Sequence, residues 1–331
     1  MTPPRERWSA IEIAFWIVPV VAYFALPTFR TFGSQVFVAG LFALSLDLIL
    51  GYARIVSLGH AAFFGLGAYT AGLLAHHGFG EPLSGLAAGA VVAALAGAAT
   101  SVLIVRGQDL TRLIVTLGVG LMLYEVANRA ASITGGVDGL SEVPMWPIFG
   151  VFRFGLDGST AYVYSLVVLF AVFVLMRRVV RSPFGLSLRG VREGERRMPA
   201  IGVSVTRKLV IVYTLGAAIA GIAGALLAQT TQFVGIDVLG FQRSADILIM
   251  LVVGGAGYLY GGIVGAAIFM ILQDRLASLS AAYWQFWLGL LLVLLVLFAR
   301  GGLIPLAEGL SRRLRDRRVK RGRGPQEAGG G

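Results

Sequence analysis

The chain has 331 residues, of which 57% are hydrophobic and only 14% charged, and its formal net charge at pH 7 is +11. Soluble domains carry about a quarter charged residues, and the mean hydropathy here is +0.81, so the composition excludes an ordinary soluble protein and indicates an integral membrane protein. Cysteine is absent, which excludes disulfides and thiolate metal sites.

Apolar runs follow one another from residue 11 to residue 299. Because a membrane-spanning helix needs about 20 apolar residues, they predict an all-α, polytopic membrane bundle of about 8 to 10 transmembrane helices. The predicted helices are 11–29, 33–51, 58–77, 82–105, 110–131, 159–180, 208–230, a glycine-broken stretch 244–277, and 284–299. The number of crossings stays open because of residues 244–277. They form either a hairpin of two short helices that turns at GGAGYLYGG, or a stretch that does not cross the membrane as a pair of helices.

Lys and Arg residues orient the bundle, because positive charge near helix ends is retained in the cytoplasm. With the N-terminus inside and strict alternation, five of the 28 Lys and Arg residues fall outside: Arg30, Arg129, Arg153, Arg243 and Arg275. We therefore expect both termini to be cytoplasmic. The expected parts are an N-terminal segment 1–10, a transmembrane domain 11–303 with an outside loop 132–158 and a cytoplasmic loop 181–207, and a basic, glycine-rich cytoplasmic tail 304–331.

Small residues recur at helical spacing in several predicted helices, for example Gly261 with Gly265. In IVSLGHAAFFGLGAYTAGLL, at about 100° per residue, one face carries a stripe of small side chains, and a second stripe recurs near residue 220. These residues are Ala61, Gly65, Ala68 and Gly72, then Gly216, Ala220 and Gly224. Small residues let helix backbones approach closely in membranes, so both stripes predict tight helix packing. They do not indicate a particular function.

Two ionisable residues, Asp47 and Glu125, lie well inside predicted helices, where a charge is costly and marks a candidate functional site. The alternative is a structural partner for each: Arg54 on the same face as Asp47, and Arg129 four residues after Glu125. His60 stands alone, so no metal site is expected there. Phosphate-loop, dinucleotide, metalloprotease and hydrolase motifs are absent, so the chain is not expected to be an enzyme or to hydrolyse ATP itself.

The cytoplasmic loop and the helix after it carry three short motifs: S-P-F-G at residues 182–185, R-E-x-E at 192–195 and A-G-x-A-G at 220–224, with Gly202 between the last two. In these motifs the chain resembles the branched-chain amino acid ABC transporter permease family. The motif G-Y-x-x-x-x-S-L-G-H-x-A-F-F-G-x-G-A-Y matches residues 51–69, and further blocks match at 116–117, 134–144, 254–257 and 300–303. In order, these blocks cover roughly residues 35 to 303, and the match is closer to the longer of the family's two permease subunits.

The resemblance implies a permease subunit of an ATP-driven importer that moves Leu, Ile, Val or related amino acids across the bacterial inner membrane by alternating access. Its implied partners are two cytoplasmic ATP-binding subunits, a periplasmic amino-acid-binding protein and a second permease subunit. The family pattern favours a related chain over a copy for that second permease subunit. No cofactor is implied. The loop around Glu193 to Gly202 would form a short coupling helix against an ATP-binding subunit; the coupling candidates are Arg192, Glu193, Glu195, Ala200 and Gly202.

Two departures from the family pattern concern charge: Asp47 stands where Asn is usual and Arg54 where Gly is usual, so the two form an expected compensating pair. Pathway candidates are Ser57 and His60, expected near the cytoplasmic end, together with Asp47 and Glu125. An alternative function is an ion-coupled secondary transporter or channel that uses the two carboxylates as carriers and 244–277 as a discontinuous helix. The substrate is left open, because relatives handle urea or short amides.

Overall fold

The computed structural model describes residues 10–107, 109–141, 143–155, 157–280, 283–298 and 301–306. Within these ranges all regular secondary structure is helical, apart from isolated antiparallel bridges at Leu140–Val234 and Ile148–Phe152. The predicted all-α class is therefore confirmed. Most of the predicted N-terminal segment, residues 1–9, and of the tail, residues 307–331, lies outside the described residues, as does Arg300.

The described chain contains twelve α-helices joined by turns and four short 3₁₀ helices. The α-helices are α1 Ala10–Ala25, α2 Arg30–Ala53, α3 Ala61–His76, α4 Pro82–Arg106, α5 Asp109–Arg129, α6 Ala131–Thr134, α7 Ser159–Arg181, α8 Pro183–Gly194, α9 Val205–Thr231, α10 Phe241–Gly254, α11 Leu259–Leu279 and α12 Trp284–Phe298. The 3₁₀ helices are Pro27–Phe29, Gly136–Asp138, Met198–Ile201 and Ile236–Leu239. Most predicted helices are found, with ends shifted by a few residues.

Six helical segments of the described chain are long and apolar enough to cross a membrane. They are Pro27–Ala53, Pro82–Arg106, Leu110–Arg129, Ser159–Arg181, Val205–Thr231 and Leu259–Leu279. Helices α1, α3 and α12 are apolar but shorter, and α10 has only 14 residues. The molecule is thus a polytopic helical membrane bundle in which several crossing segments are not complete spanning helices.

We call one end of the bundle the basic end. Helices α2, α4 and α7 end there, and α8 and the start of α9 lie there. At this end Glu12, near the start of α1, accepts a hydrogen bond at 2.8 Å from Arg177 in the last turns of α7. Gly302, after α12, packs against Gly255 between α10 and α11. Both ends of the described chain therefore lie at the same end of the bundle, in keeping with an even number of crossings.

The predicted stretch 244–277 is two helices, so the hairpin alternative is the one the structure contains. Helix α10 stops at Gly254. The turn 255–258 includes Gly255 at φ 113° and Gly257 at φ 88°, backbone conformations that residues other than glycine rarely adopt. Helix α11 then packs back along α10, with the main chain of Gly265 against the carbonyl of Met250. The second helix has 21 residues, enough to span on its own.

Helix α3 begins inside the bundle rather than at its surface. Its preceding residue, His60, lies 2.9 Å from the hydroxyl of Ser45, eight residues before the end of α2. At 1.5 Å per residue this places the start of α3 about 12 Å deep from the basic end. The predicted start at residue 58 is therefore too early, because residues 54–60 return into the bundle as irregular chain.

A second segment that is not α-helical enters from the opposite end. We call residues 232–240 the inserted segment, and it includes the 3₁₀ helix Ile236–Leu239. Val234 pairs with Leu140 near that end, Leu239 packs on Gly65 of α3, and α10 continues from Phe241. The amide N–H of Ala61 donates to the hydroxyl of Ser244 at 2.9 Å, which joins the starts of α3 and α10. Non-helical backbone at this depth is tolerated only where protein or an aqueous cavity surrounds it.

The most extensive helix pair, α4 with α9, was not anticipated from the sequence. A four-residue repeat on each helix brings small residues into register as the two run antiparallel. Gly85, Gly89, Ala93 and Gly97 of α4 face Gln229, Ala225, Gly221 and Ala217 of α9 in turn. A Cβ atom on Gly89 would lie 3.0 Å from the Cβ of Ala225, so these backbones touch through van der Waals packing, the main source of helix association in lipid.

The two predicted small-residue stripes are buried, but they face different neighbours. Gly65 and Gly72 of α3 meet the inserted segment and the bridge at Leu140 rather than another α-helix. Their neighbours Ala61 and Ala68 are buried. On α9, Gly216 faces Ile49 of α2, Ala220 is fully buried, and Gly224 meets the backbone of α3 at Phe64 and Ala68.

Candidate functional site

The predicted cytoplasmic loop is largely helical. Ser182 caps α8 by accepting a hydrogen bond from the amide of Gly185, and Pro183 occupies the first helical position, which needs no N–H. After α8 a 3₁₀ turn covers Met198–Ile201, and Gly202 follows in the left-handed conformation at φ 82°. The resemblance implied a short helix around Glu193 to Gly202. The structure instead ends α8 at Gly194, and Pro199 and the left-handed Gly202 prevent one α-helix from running through the rest of that segment.

The five coupling candidates divide into two groups. All five are exposed, and Glu193, Ala200 and Gly202 have surface available for a partner protein. Arg192 and Glu195 in addition bond to other parts of this chain. These two residues therefore fix the loop to the bundle.

Arg192 joins α8 to the end of α2 and to the α10–α11 turn. Its Nη1 donates to the main-chain oxygen of Gly51 at 2.5 Å. The amide of Gly257, in the turn beside the same guanidinium, donates to Oδ1 of Asp47 at 2.6 Å. Asp47, which is fully buried, therefore holds the α10–α11 turn in place.

The expected pairing of Asp47 with Arg54 is wrong. Helix α2 stops at Ala53, and Arg54 adopts a left-handed conformation with φ 56°, so its exposed side chain leaves the helical face that Asp47 occupies. This conformation costs an ordinary residue roughly 1–2 kcal/mol and glycine almost nothing, which gives a physical reason for the glycine that the family pattern has here.

Glu195 forms an ion pair with Arg112, a residue that the sequence analysis did not single out. Arg112 Nη2 lies 2.9 Å from Glu195 Oε1, with the arginine side chain 6% exposed and the carboxylate 47% exposed. Arg112 stands in the first turn of α5, so the pair fastens the chain after α8 to α5. The available sequence signal was an arginine placed just before the long apolar run of α5.

We expect Arg112→Glu to lower the thermal stability of the purified protein in detergent. It would set two carboxylates against each other in a mostly buried site, at a cost of about 1–3 kcal/mol. The double variant Arg112→Glu with Glu195→Arg should recover much of the loss in melting temperature. Arg129→Glu is the control, since its pair with Glu125 is exposed and such pairs contribute little. Equal melting temperatures for the Arg112 and Arg129 variants would contradict the assignment.

Ser57 and His60 are buried rather than exposed to a path. Both side chains are 0% exposed. The His60 ring stacks on Phe42, with 5.6 Å between centroids and a 6° interplanar angle, and its Nε2 lies beside Ser45. In this conformation the two residues therefore pack the junction between α2 and α3.

Glu125 has the structural partner that its spacing predicted. Its Oε1 lies 2.7 Å from Arg129 Nε, and both side chains are largely exposed on α5. Exposed apolar residues, among them Leu121, Met122 and Val126, surround the pair on the same helix. This face of α5 therefore combines a neutralised charge pair with apolar surface.

Comparison with known proteins assigns the class. The family model for the permease component of branched-chain amino acid transport systems matches residues 30–298. The chain therefore belongs to this family of membrane transport permeases. No solved structure matches the chain significantly.

Individual relatives agree with the family. The high-affinity branched-chain amino acid transport system permease protein LivM of Salmonella typhimurium is 31% identical over 80% of this chain and 67% of its own length. LivM of Escherichia coli is 30% identical over the same shares. The probable branched-chain amino acid transport permease protein LivH of Methanocaldococcus jannaschii is 25% identical over 59% of this chain and 61% of its own.

Proposed function

We propose that this chain is the LivM-like permease subunit of an ATP-driven importer that brings Leu, Ile, Val or related amino acids across a bacterial inner membrane. The observation that carries the proposal is the α8 loop: it is fixed to α2, α5 and the α10–α11 turn, while Glu193, Ala200 and Gly202 face outward. A loop fixed in this way transmits movement of a docked protein to three parts of the bundle. The family match to residues 30–298 supports the same function.

The proposed assembly contains two cytoplasmic ATP-binding subunits, a periplasmic amino-acid-binding protein and a second, related permease subunit. The basic end would face the cytoplasm, with both termini, because nine of the 28 Lys and Arg residues lie in 177–208. The relatives include both LivM and LivH, which supports a pair of different permease chains. ATP hydrolysis would belong to the partner subunits.

The ion-coupled alternative is weakened by the positions of its two carriers. Asp47 is fully buried and accepts a main-chain hydrogen bond from Gly257. Glu125 is neutralised by Arg129. A carrier carboxylate must release and rebind its ion, and neither residue stands free to do so.

The test is transport by the complete complex in proteoliposomes. We expect leucine uptake that requires ATP and persists when a protonophore removes the proton gradient. Uptake that needs the gradient and ignores ATP would overturn the proposal in favour of an ion-coupled transporter.

Gly202→Trp tests the coupling loop within that assay. Gly202, at φ 82°, and Gly78, at φ 91°, both have open space around the Cβ position, but Gly78 lies at the opposite end of the bundle. Gly202→Trp should lower ATP-driven uptake and stimulated ATP hydrolysis about tenfold, equivalent to about 1.4 kcal/mol of coupling energy, whereas Gly78→Trp, with similar backbone strain, should not. Equal effects of the two variants would contradict a coupling role.

A further inference from the structure

A cavity of about 340 Å³ lies between α2, α3, α9, α10 and α11, beside the inserted segment. It does not involve the α8 loop or the residues predicted to line a path. Pockets for small ligands start at about 300 Å³, so this volume suits a small molecule.

The deep wall of the cavity is apolar and aromatic. Phe42 and Phe64 stack with their ring centroids 4.5 Å apart, and Met250 lies beside them. All three side chains are buried. This wall would accept a branched aliphatic group, since flexible methionine and flat rings adapt to such shapes.

The outer part of the cavity contains both acidic and basic side chains. Arg243 Nη2 lies 3.0 Å from Asp237 Oδ2, and these side chains are 42% and 69% exposed. Asp246, one turn further along α10, accepts a hydrogen bond from Gln242 at 2.8 Å. Gln35 and Gln273 add amide groups from α2 and α11.

The depth of these charges indicates water or a ligand rather than lipid. Arg243 precedes Ser244, whose hydroxyl bonds to the start of α3, about 12 Å inside the bundle. Ionisable side chains at such depth face a protein interior or an aqueous cavity, and they mark ligand pathways. Arg243 gives one of its five N–H donors to Asp237, so donors remain for an anionic group.

We propose that this cavity is a binding site for a zwitterionic amino acid with an aliphatic side chain, within this one subunit. Arg243 binds the α-carboxylate, Asp246 binds the α-ammonium group, and the side chain lies against Phe42, Phe64 and Met250. The assignment rests on the proposed importer function for its biological role. The binding itself is a property of the cavity.

The first experiment measures equilibrium binding of radiolabelled leucine to the purified complex in nanodiscs, without the periplasmic binding protein. Ala39→Trp places an indole in the cavity, because Ala39 lines it on α2, and should abolish binding. Ala99→Trp is the matched control on an exposed position of α4 and should bind as the wild type does. Unchanged leucine binding by Ala39→Trp, or no saturable binding by the wild type, would overturn the proposal.

A second variant tests recognition of the α-carboxylate by Arg243. It does not require the protein to fold with a tryptophan at position 39. Arg243→Gln should weaken leucine binding about tenfold or more, as expected for loss of a charge-assisted hydrogen bond. Leucinamide, which lacks the carboxylate, should compete poorly in the wild type and as well as leucine in the variant. If leucinamide and leucine compete equally with the wild type, the role of Arg243 is wrong.

Uptake separates this inference from the proposed function. Wild-type proteoliposomes that bind leucine without ATP-driven uptake would leave the site standing and overturn the importer function. If both Ala39→Trp and Arg243→Gln keep wild-type uptake and wild-type leucine binding, the importer function stands and the proposed binding site is overturned.

Discussion

Gly224→Ala is expected to prevent correct packing of α9 on α3. The Cβ atom of an alanine there would overlap the main-chain oxygen of Phe64 and lie 2.9 Å from the amide nitrogen of Ala68. Because the obstructing atoms are backbone, no side-chain rotamer relieves the overlap, and the two helices must separate. Overpacking of this kind costs about 1–3 kcal/mol or more, and here it also weakens neighbouring contacts of α9 with α4.

Gly118→Ala is the matched control for this prediction. Gly118 lies inside α5 with no heavy atom within 4 Å of the Cβ position. Alanine should stabilise that helix by up to about 1 kcal/mol through its higher helix propensity. Yield of monodisperse protein in detergent and melting temperature should therefore fall for Gly224→Ala and hold for Gly118→Ala. A Gly224→Ala protein as stable as Gly118→Ala would show that α3 and α9 do not approach this closely.

Asp47→Leu is expected to have the second large effect, whereas Asp47→Asn should be tolerated. Leucine leaves the amide of Gly257 without its acceptor, at a cost of about 1–3 kcal/mol, and frees the α10–α11 turn beside Arg192. Asparagine keeps an oxygen at the position of Oδ1 and can retain the 2.6 Å bond.

The measurement pairs melting temperature with ATP-driven uptake by the reconstituted complex. Asp47→Leu should lower both, and Asp47→Asn should keep both near the wild type. If Asp47→Asn abolishes uptake while stability is unchanged, the negative charge itself is needed, and Asp47 returns as a pathway residue.

Several parts of the fold follow from local sequence. Long apolar runs predicted the membrane helices, since the bilayer sets their length. The Gly-rich run at 254–262 marked the turn between α10 and α11, because positive φ angles there favour glycine. The spacing of Glu125 and Arg129 predicted their ion pair, because residues four apart share a helix face.

Other parts did not follow, even where the residues had been singled out. Asp47 was paired with Arg54 by helical spacing, yet its partner is 210 residues away, at Gly257. Helical spacing also left open what the Gly65 and Gly72 face would meet. Its neighbours are Leu239, in the 3₁₀ helix Ile236–Leu239, and the bridge between Leu140 and Val234, rather than another α-helix. The α4–α9 contact was missed because its register depends on two helices at once.

The sequence by itself determined the class of this protein: a helical membrane bundle of the branched-chain amino acid permease family, through its hydropathy and ordered motifs. The tertiary structure alone decided which groups meet. Arg112 with Glu195 and Asp47 with Gly257 are joined across 83 and 210 residues, and the cavity between Phe42, Arg243 and Met250 draws on separate helices. Helix formation depends on neighbours along the chain, whereas these contacts depend on how irregular segments enter the bundle, which no local pattern encodes.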